Sequence, residues 1–124
     1  HAVITAVDSD RAGLTALEEA ARRTQGLKPI QTQRRDLFRE PLIAKELNAF
    51  DGAVFDPPRA GAEAQARELA KSTVKHVVAV SCDATTFARD ASVLVAGGYR
   101  LSAVTPVDQF LWSPHVEIVG TFEK

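Results

Sequence analysis

The sequence has few of the features that mark specialised classes of protein. Its 124 residues include one cysteine, which excludes an internal disulfide and provides no metal-ligand spacing. No apolar run approaches the roughly 18 residues that a membrane-spanning helix needs. The net charge of −1 excludes a general basic surface of the kind that attracts nucleic acid. We therefore expect a cytoplasmic protein with no metal site and no membrane span, which recognises its partner through a local site.

The apolar pattern is that of an α/β protein. Apolar residues make up 45% of the chain and charged residues 25%, an ordinary globular balance. Short β-branched runs alternate with helical patterns, and strands separated by helices predict a parallel sheet. In the helix nearest the C-terminus, Phe87, Ala91, Leu94 and Val95 lie on one side. We expect strands at 3–7, 29–33, 53–55, 74–80, 99–107 and 115–122, and helices at 11–23, 41–47, 62–71 and 86–95.

The last two predicted strands depart from the parallel pattern. Only residues 108–114 separate them, which is too short for a crossover helix, so they are expected to pair antiparallel. A mostly parallel sheet that ends in an antiparallel hairpin resembles the Rossmann-like fold of class I methyltransferases.

Several residues that can do chemistry are predicted to meet at one edge of this sheet. Open α/β sheets bind ligands at the carboxyl ends of their strands. Asp8, Asp36, Asp56 and Cys82 each follow one of the first four predicted strands, and Glu117 lies near the start of the last. Because that strand runs in the opposite direction, its start lies at the same edge.

Each of these residues also has a simpler interpretation. Asp8 can cap the following helix, and Asp36 can be an ordinary loop acid. Asp56 can form a turn before two prolines, Cys82 can be a small buried apolar residue, and Glu117 can be a solvated strand residue. Trp112, in the last loop, can pack against the protein or stack on a base.

Three segments together resemble the RNA uracil-5 methyltransferases, which form 5-methyluridine in 23S rRNA or tRNA. They are Phe-Asp-Pro-Pro-Arg-Ala-Gly-Ala at 55–62, Val-Ser-Cys-Asp-Ala-Thr-Thr-Phe-Ala-Arg-Asp at 80–90, and Pro-Val-Asp-Gln-Phe at 106–110 with Pro-His-Val-Glu at 114–117. Their order and spacing match the family over nearly the whole chain. One departure is Asp83-Ala84, where the family usually has Asn-Pro. Loss of the proline is expected to loosen the loop beside the thiol, while Asp83 can still cap the next helix.

The resemblance implies a role for each candidate residue. Cys82 would be the nucleophile that adds to uracil carbon 6, and Glu117 the base that removes the proton from carbon 5. Asp8 would bind the ribose hydroxyls of S-adenosylmethionine, and Asp36 would lie near its adenine. Asp56 would contribute to both the cofactor pocket and the target-base pocket. Arg59 would join Asp56 in binding the substrate, an RNA.

The resemblance also implies that residues 1–124 are the C-terminal part of a single methyltransferase domain. The glycine-rich first strand and loop of that domain are missing from the sequence. We expect this chain to be inactive alone, with exposed strand edges that favour dimerisation or strand swapping.

Two other functions remain open at this point. The first is an S-adenosylmethionine-dependent methyltransferase with another target, which would have no need of a covalent thiol. The second is a non-catalytic folded fragment or interaction module.

Overall fold

A computed structural model describes residues 2–124, and the chain divides into two compact units. The first unit ends at Glu40, and the second runs from Pro41 to Lys124. The α/β fold class is confirmed, and each element begins and ends within three residues of its predicted bounds. The assignment of residues 1–124 to a single methyltransferase domain stays a prediction.

The first unit contains two parallel strands and one helix. Strand β1 (Ile4–Asp8) pairs with β2 (Ile30–Arg34) in parallel, and helix α1 (Arg11–Arg23) connects them. Asp10 begins the helix because its carboxylate accepts a hydrogen bond from the Ala12 amide at 3.0 Å. These two strands form a sheet of their own, the first sheet.

The second unit contains a four-stranded sheet, the second sheet, in the order β3-β4-β6-β5. Strands β3 and β4 are parallel, whereas β6 is antiparallel to both β4 and β5, as the predicted final hairpin requires. The elements are β3 (Gly52–Phe55), β4 (His76–Ser81), β5 (Arg100–Val107), β6 (Glu117–Glu123), α2 (Ala44–Leu47), α3 (Glu63–Lys71) and α4 (Ala84–Ala96).

The core of the second unit lies between its helices and its sheet. Leu69 of α3, Leu94 of α4 and Phe122 of β6 are almost completely buried in one apolar cluster. Burying each of these large apolar side chains contributes about 1.5–3 kcal/mol to stability. The cluster also contains Ala91, whereas Val95 is exposed and Val93 packs against the cluster instead. The packing fixes α4 against the sheet, and α4 begins two residues after Cys82.

Within the part of the chain that the structure describes, no helix combines the length and the apolar character that crossing a membrane requires.

Candidate active site

The strand register places Cys82 and Glu117 at the same end of one strand pair. Ser81, the last residue of β4, pairs with Ile118 of β6. Cys82 directly follows Ser81, and Glu117 directly precedes Ile118, so both residues lie just beyond the last pair of the β4–β6 ladder. The thiol and the carboxylate therefore lie at one edge of the second sheet.

Asp56 reaches the same edge from the neighbouring strand. It follows Phe55, the last residue of β3, which pairs with Ala79 of the parallel strand β4. The carboxyl ends of parallel strands lie at the same edge of a sheet. The structure thus brings together three of the predicted site residues, Asp56, Cys82 and Glu117, while their chemical roles stay predictions.

The side chains of these three residues have no protein partner. Within residues 2–124, none of the three forms a side-chain hydrogen bond or an ion pair. Cys82 and Glu117 are half-buried and Asp56 is exposed, so all three can contact a ligand. A half-buried thiol does not fit the simpler interpretation of Cys82 as a fully buried apolar residue.

Hydrogen bonds on both sides hold the bend that carries Cys82. The buried Ser81 hydroxyl donates to the Asp83 carbonyl at 3.0 Å and accepts from the Asp83 amide at 3.2 Å. The Asp83 carboxylate accepts from the Thr85 and Thr86 amides, both at 3.0 Å, and so caps α4. The expectation that Asp83 can cap the next helix is confirmed, and the cap forms within a hydrogen-bonded bend beside the thiol.

Arg59 is held beside this bend by an ion pair. Its Nε lies 3.4 Å from Asp83 Oδ2, and its side chain is 68% exposed. The pKa of the Asp83 carboxyl lies below its usual range, chiefly because the Thr86 amide donates to it and also because Arg59 pairs with it. So exposed a pair adds little stability. The ion pair matters instead for position, because it keeps the Arg59 guanidinium at the edge of the sheet that carries Cys82.

The remaining predicted cofactor residues lie in the first unit. Asp8 ends β1, and Asp36 follows β2, so both lie at the carboxyl edge of the first sheet. Asp8 Oδ1 accepts from the Asp10 amide at 2.7 Å, and Asp36 Oδ1 accepts from the Phe38 amide at 3.0 Å. The interpretation of Asp8 as the cap of α1 is wrong, because Asp10 has that role.

Trp112 lies in the loop between β5 and β6 and is fully exposed. A packing role for Trp112 within residues 2–124 is therefore wrong.

A family model for tRNA (uracil-5-)-methyltransferases matches residues 20–124 of the chain. The chain belongs to this methyltransferase family. The resemblance predicted from the three sequence segments is thereby confirmed.

Relatives of this methyltransferase chain are much longer than the chain itself. An uncharacterised RNA methyltransferase from Agrobacterium fabrum is 60% identical over 121 residues, which cover 98% of this chain and 29% of that protein. A 23S rRNA (uracil(1939)-C(5))-methyltransferase from Chromohalobacter salexigens is 40% identical over 116 residues, which cover 94% of this chain and 24% of that protein. The chain thus spans less than a third of the length of these relatives.

A solved structure supports the methyltransferase fold. The tRNA (uracil-54, C5)-methyltransferase of Pyrococcus abyssi, in complex with S-adenosyl-L-homocysteine, matches with a TM-score of 0.80 at 26% identity. The match covers 97% of this chain and 28% of that one. S-adenosyl-L-homocysteine is S-adenosylmethionine without its methyl group, so the cofactor prediction is confirmed at the level of the family.

Gly61 makes the loop after β3 sensitive to substitution. Its φ is +78°, and a Cβ atom there would lie 2.5 Å from Arg89 Nη2 and 2.7 Å from Asp90 Oδ2. We expect Gly61→Ala to lower the free energy of unfolding by about 2–5 kcal/mol, from backbone strain plus overpacking. Urea unfolding of the full-length protein would measure the loss.

Gly98→Ala is the matched control for Gly61→Ala. Gly98 lies in the same unit with a φ of +97°, but a Cβ atom would meet only the flexible end of Lys124 at 3.5 Å. We expect this variant to lose about 1–2 kcal/mol, from backbone strain alone. Equal losses in the two variants would contradict the described packing of Gly61.

Proposed function

We propose that the protein carrying this chain is an RNA uracil-5 methyltransferase, which transfers a methyl group from S-adenosylmethionine to carbon 5 of a uridine in rRNA or tRNA. The observation that carries the proposal is the Ser81–Ile118 pair, which leaves Cys82 and Glu117 beside the end of the β4–β6 ladder, at the edge where Asp56 follows β3. A methyltransferase acting on nitrogen or oxygen has no use for a thiol and a carboxylate placed together in this way.

The proposed chemistry begins at Cys82. Carbon 5 of uracil is a poor nucleophile until a thiolate adds to carbon 6, where a carbon–sulfur bond forms and the ring becomes an enolate. When bound, S-adenosylmethionine supplies the electrophilic methyl group that carbon 5 attacks. Glu117 then takes the proton from carbon 5, the ring double bond returns, and the carbon–sulfur bond breaks. Cys82 leaves as a thiolate, ready for another cycle.

The carboxylates of the chain suit the cofactor that this chemistry needs. Ribose hydroxyls and amino groups donate hydrogen bonds, and carboxylate oxygens accept them. Asp56 has no partner within residues 2–124, and Asp8 and Asp36 are exposed. Asp8 and Asp36 in the first unit, and Asp56 in the second, are each proposed as a cofactor-binding residue. Asp56 and Arg59 would also contact the RNA, where an arginine can bind phosphate or a base. A flipped-out uridine is the form of substrate that such a site accepts.

Release of tritium from RNA tests this function. RNA made with uridine carrying tritium at carbon 5 would be mixed with the full-length protein and S-adenosylmethionine. We expect one tritium released into water for each methyl group transferred, because the carbon 5 hydrogen leaves in the last step. Methyl transfer without tritium release would instead support a methyltransferase with another target. Donor and RNA binding with neither event would support a non-catalytic module.

We further propose that residues 1–124 alone have no methyltransferase activity and self-associate. Support comes from the chain's span of less than a third of its relatives and from its exposed strands, including β5 and Val54 of β3. We expect no tritium release from the purified chain, and sedimentation equilibrium should give a mass above that of one copy. Turnover by this chain alone would contradict the first expectation, and a monomer at all concentrations the second.

A further inference from the structure

Side chains of α4 hold the backbone of the loop that follows β3. We call three residues of α4 the α4 cluster: Thr86, Arg89 and Asp90. Each forms a hydrogen bond to a different backbone group in residues 59–62. The bonds run from Thr86 Oγ1 to the Arg59 carbonyl at 3.1 Å, from Arg89 Nη2 to the Ala60 carbonyl at 3.0 Å, and from the Ala62 amide to Asp90 Oδ2 at 2.6 Å.

The α4 cluster is internally paired as well. Asp90 is 4% exposed, and its second oxygen accepts from Arg89 Nε at 2.9 Å and Nη2 at 2.8 Å. A buried carboxylate is tolerated only when it is paired and hydrogen-bonded, so Asp90 depends on Arg89 and on the loop amide. Loss of the Arg89 guanidinium would therefore loosen the whole loop contact.

The same helix also fixes the thiol. Asp83 caps α4 directly after Cys82, and the Thr86 hydroxyl is also within 3.3 Å of the Asp83 carbonyl. One rigid element therefore holds both the bend that carries Cys82 and the loop that carries Arg59. The loop begins at Asp56, which places two of the proposed pocket residues on the chain segment that α4 orders.

We propose that the α4 cluster is a positioning group, which holds the Asp56–Arg59 side of the target-base pocket at a fixed distance from the Cys82 thiol. This inference rests on the proposed function. The three residues of the α4 cluster do not touch the reacting atoms. They act by ordering the groups that do, and a reacting group misplaced by about 1 Å can lower a rate about 100-fold. Their loss should therefore lower the rate of the chemical step more than the affinity for the cofactor.

The test uses two pairs of variants in the full-length protein. Arg89→Met removes the guanidinium from the α4 cluster, and Arg100→Met makes the same change in an exposed ion pair with Glu123, which shares no partner with Arg89. Thr86→Val removes one loop hydrogen bond with little change in shape, and Thr86→Ser keeps the hydroxyl. For each variant, tritium release would be followed in a single turnover at saturating RNA and cofactor, with KM and Tm measured alongside.

We expect Arg89→Met to lower the single-turnover rate about 10–100-fold and Thr86→Val about 3–10-fold, with KM for S-adenosylmethionine within about twofold of wild type. Arg100→Met and Thr86→Ser should stay within about twofold of the wild-type rate. The inference is wrong if Thr86→Val keeps the wild-type rate, or if Arg89→Met lowers Tm and leaves the rate of the folded protein unchanged.

The two proposals fail in different ways. Absence of tritium release from the wild-type protein would overturn the proposed function, and the positioning role with it. An active wild-type protein whose Thr86→Val variant is equally active would overturn the positioning role alone. If Arg89→Met does not fold, the Thr86 pair still decides the outcome.

Discussion

Replacing Cys82 with alanine in the full-length protein is expected to lower the rate of uridine methylation by about 10⁴-fold or more. The reason is that carbon 5 cannot attack the methyl group until a nucleophile has added to carbon 6. Within residues 2–124 no other cysteine is present, and the Cys82 thiol has no protein partner that would compete with the ring. Tritium release in a single turnover would measure the loss.

Cys82→Ser is the informative companion to Cys82→Ala. Serine keeps the size and hydrogen-bonding capacity of the side chain, but a hydroxyl is far less ionised than a thiol at neutral pH. We expect it to be nearly as inactive as the alanine variant while still binding S-adenosylmethionine and RNA. A Cys82→Ala protein that keeps more than about a tenth of the wild-type rate would contradict the covalent mechanism.

Replacing Glu117 with glutamine is expected to lower turnover by about 10²–10⁴-fold without preventing addition of the thiol. Glutamine has nearly the same shape as glutamate but cannot take the proton from carbon 5. Ordinary RNA should then accumulate as a methylated adduct on Cys82, because the carbon–sulfur bond breaks only after that proton has left. Denaturing mass spectrometry would detect protein carrying both RNA and one extra methyl group.

Glu123→Gln is the control for the Glu117 variant. Glu123 lies at the other end of β6, where it pairs with Arg100 at 2.6 Å. The same substitution there should leave turnover within about twofold of wild type, since exposed ion pairs contribute little. Equal effects of the two substitutions would show that Glu117 has no special chemical role.

Most of the local structure could be predicted from the sequence, because its signals are local. The bounds of α1 follow from a helical pattern preceded by Asp10 and ended before Gly26. The final hairpin follows from the short gap between two strand-like runs. Asp10 was also predictable as the helix cap, because it directly precedes Arg11, whereas Asp8 lies two residues further back in β1.

The site could be predicted only as far as the strand ends. The carboxyl-edge rule placed Asp56, Cys82 and Glu117 at one edge. The register between β4 and β6 pairs residues that are at least 37 positions apart, from 81 to 118, and no local pattern encodes it. The division of the strands into two sheets was not predictable either, because strand partners are distant in sequence. The exposure of Val95 was not predictable because it depends on which elements pack against α4.

The positioning contacts were missed for a similar reason. In the sequence, Asp90 resembles any acidic residue of a helix. Only the fold shows that the Ala62 amide donates a hydrogen bond to its carboxylate. A signal was nevertheless present, since Asp90 lies on the otherwise apolar side of α4, and a buried carboxylate needs hydrogen bonds or an ion pair. Ser81 gave a similar signal at the buried end of a strand, where a hydroxyl needs a hydrogen bond.

The most direct test of the account is a covalent trap. The full-length protein would be mixed with RNA containing 5-fluorouridine and S-adenosylmethionine, then analysed by denaturing mass spectrometry. Fluorine cannot leave carbon 5 as a proton would, so a thiol-dependent enzyme stalls as a crosslink. The account predicts an adduct with the wild-type and Glu117→Gln proteins and none with Cys82→Ala. Absence of an adduct from a wild-type protein that binds both cofactor and RNA, or an adduct that persists without Cys82, would contradict it.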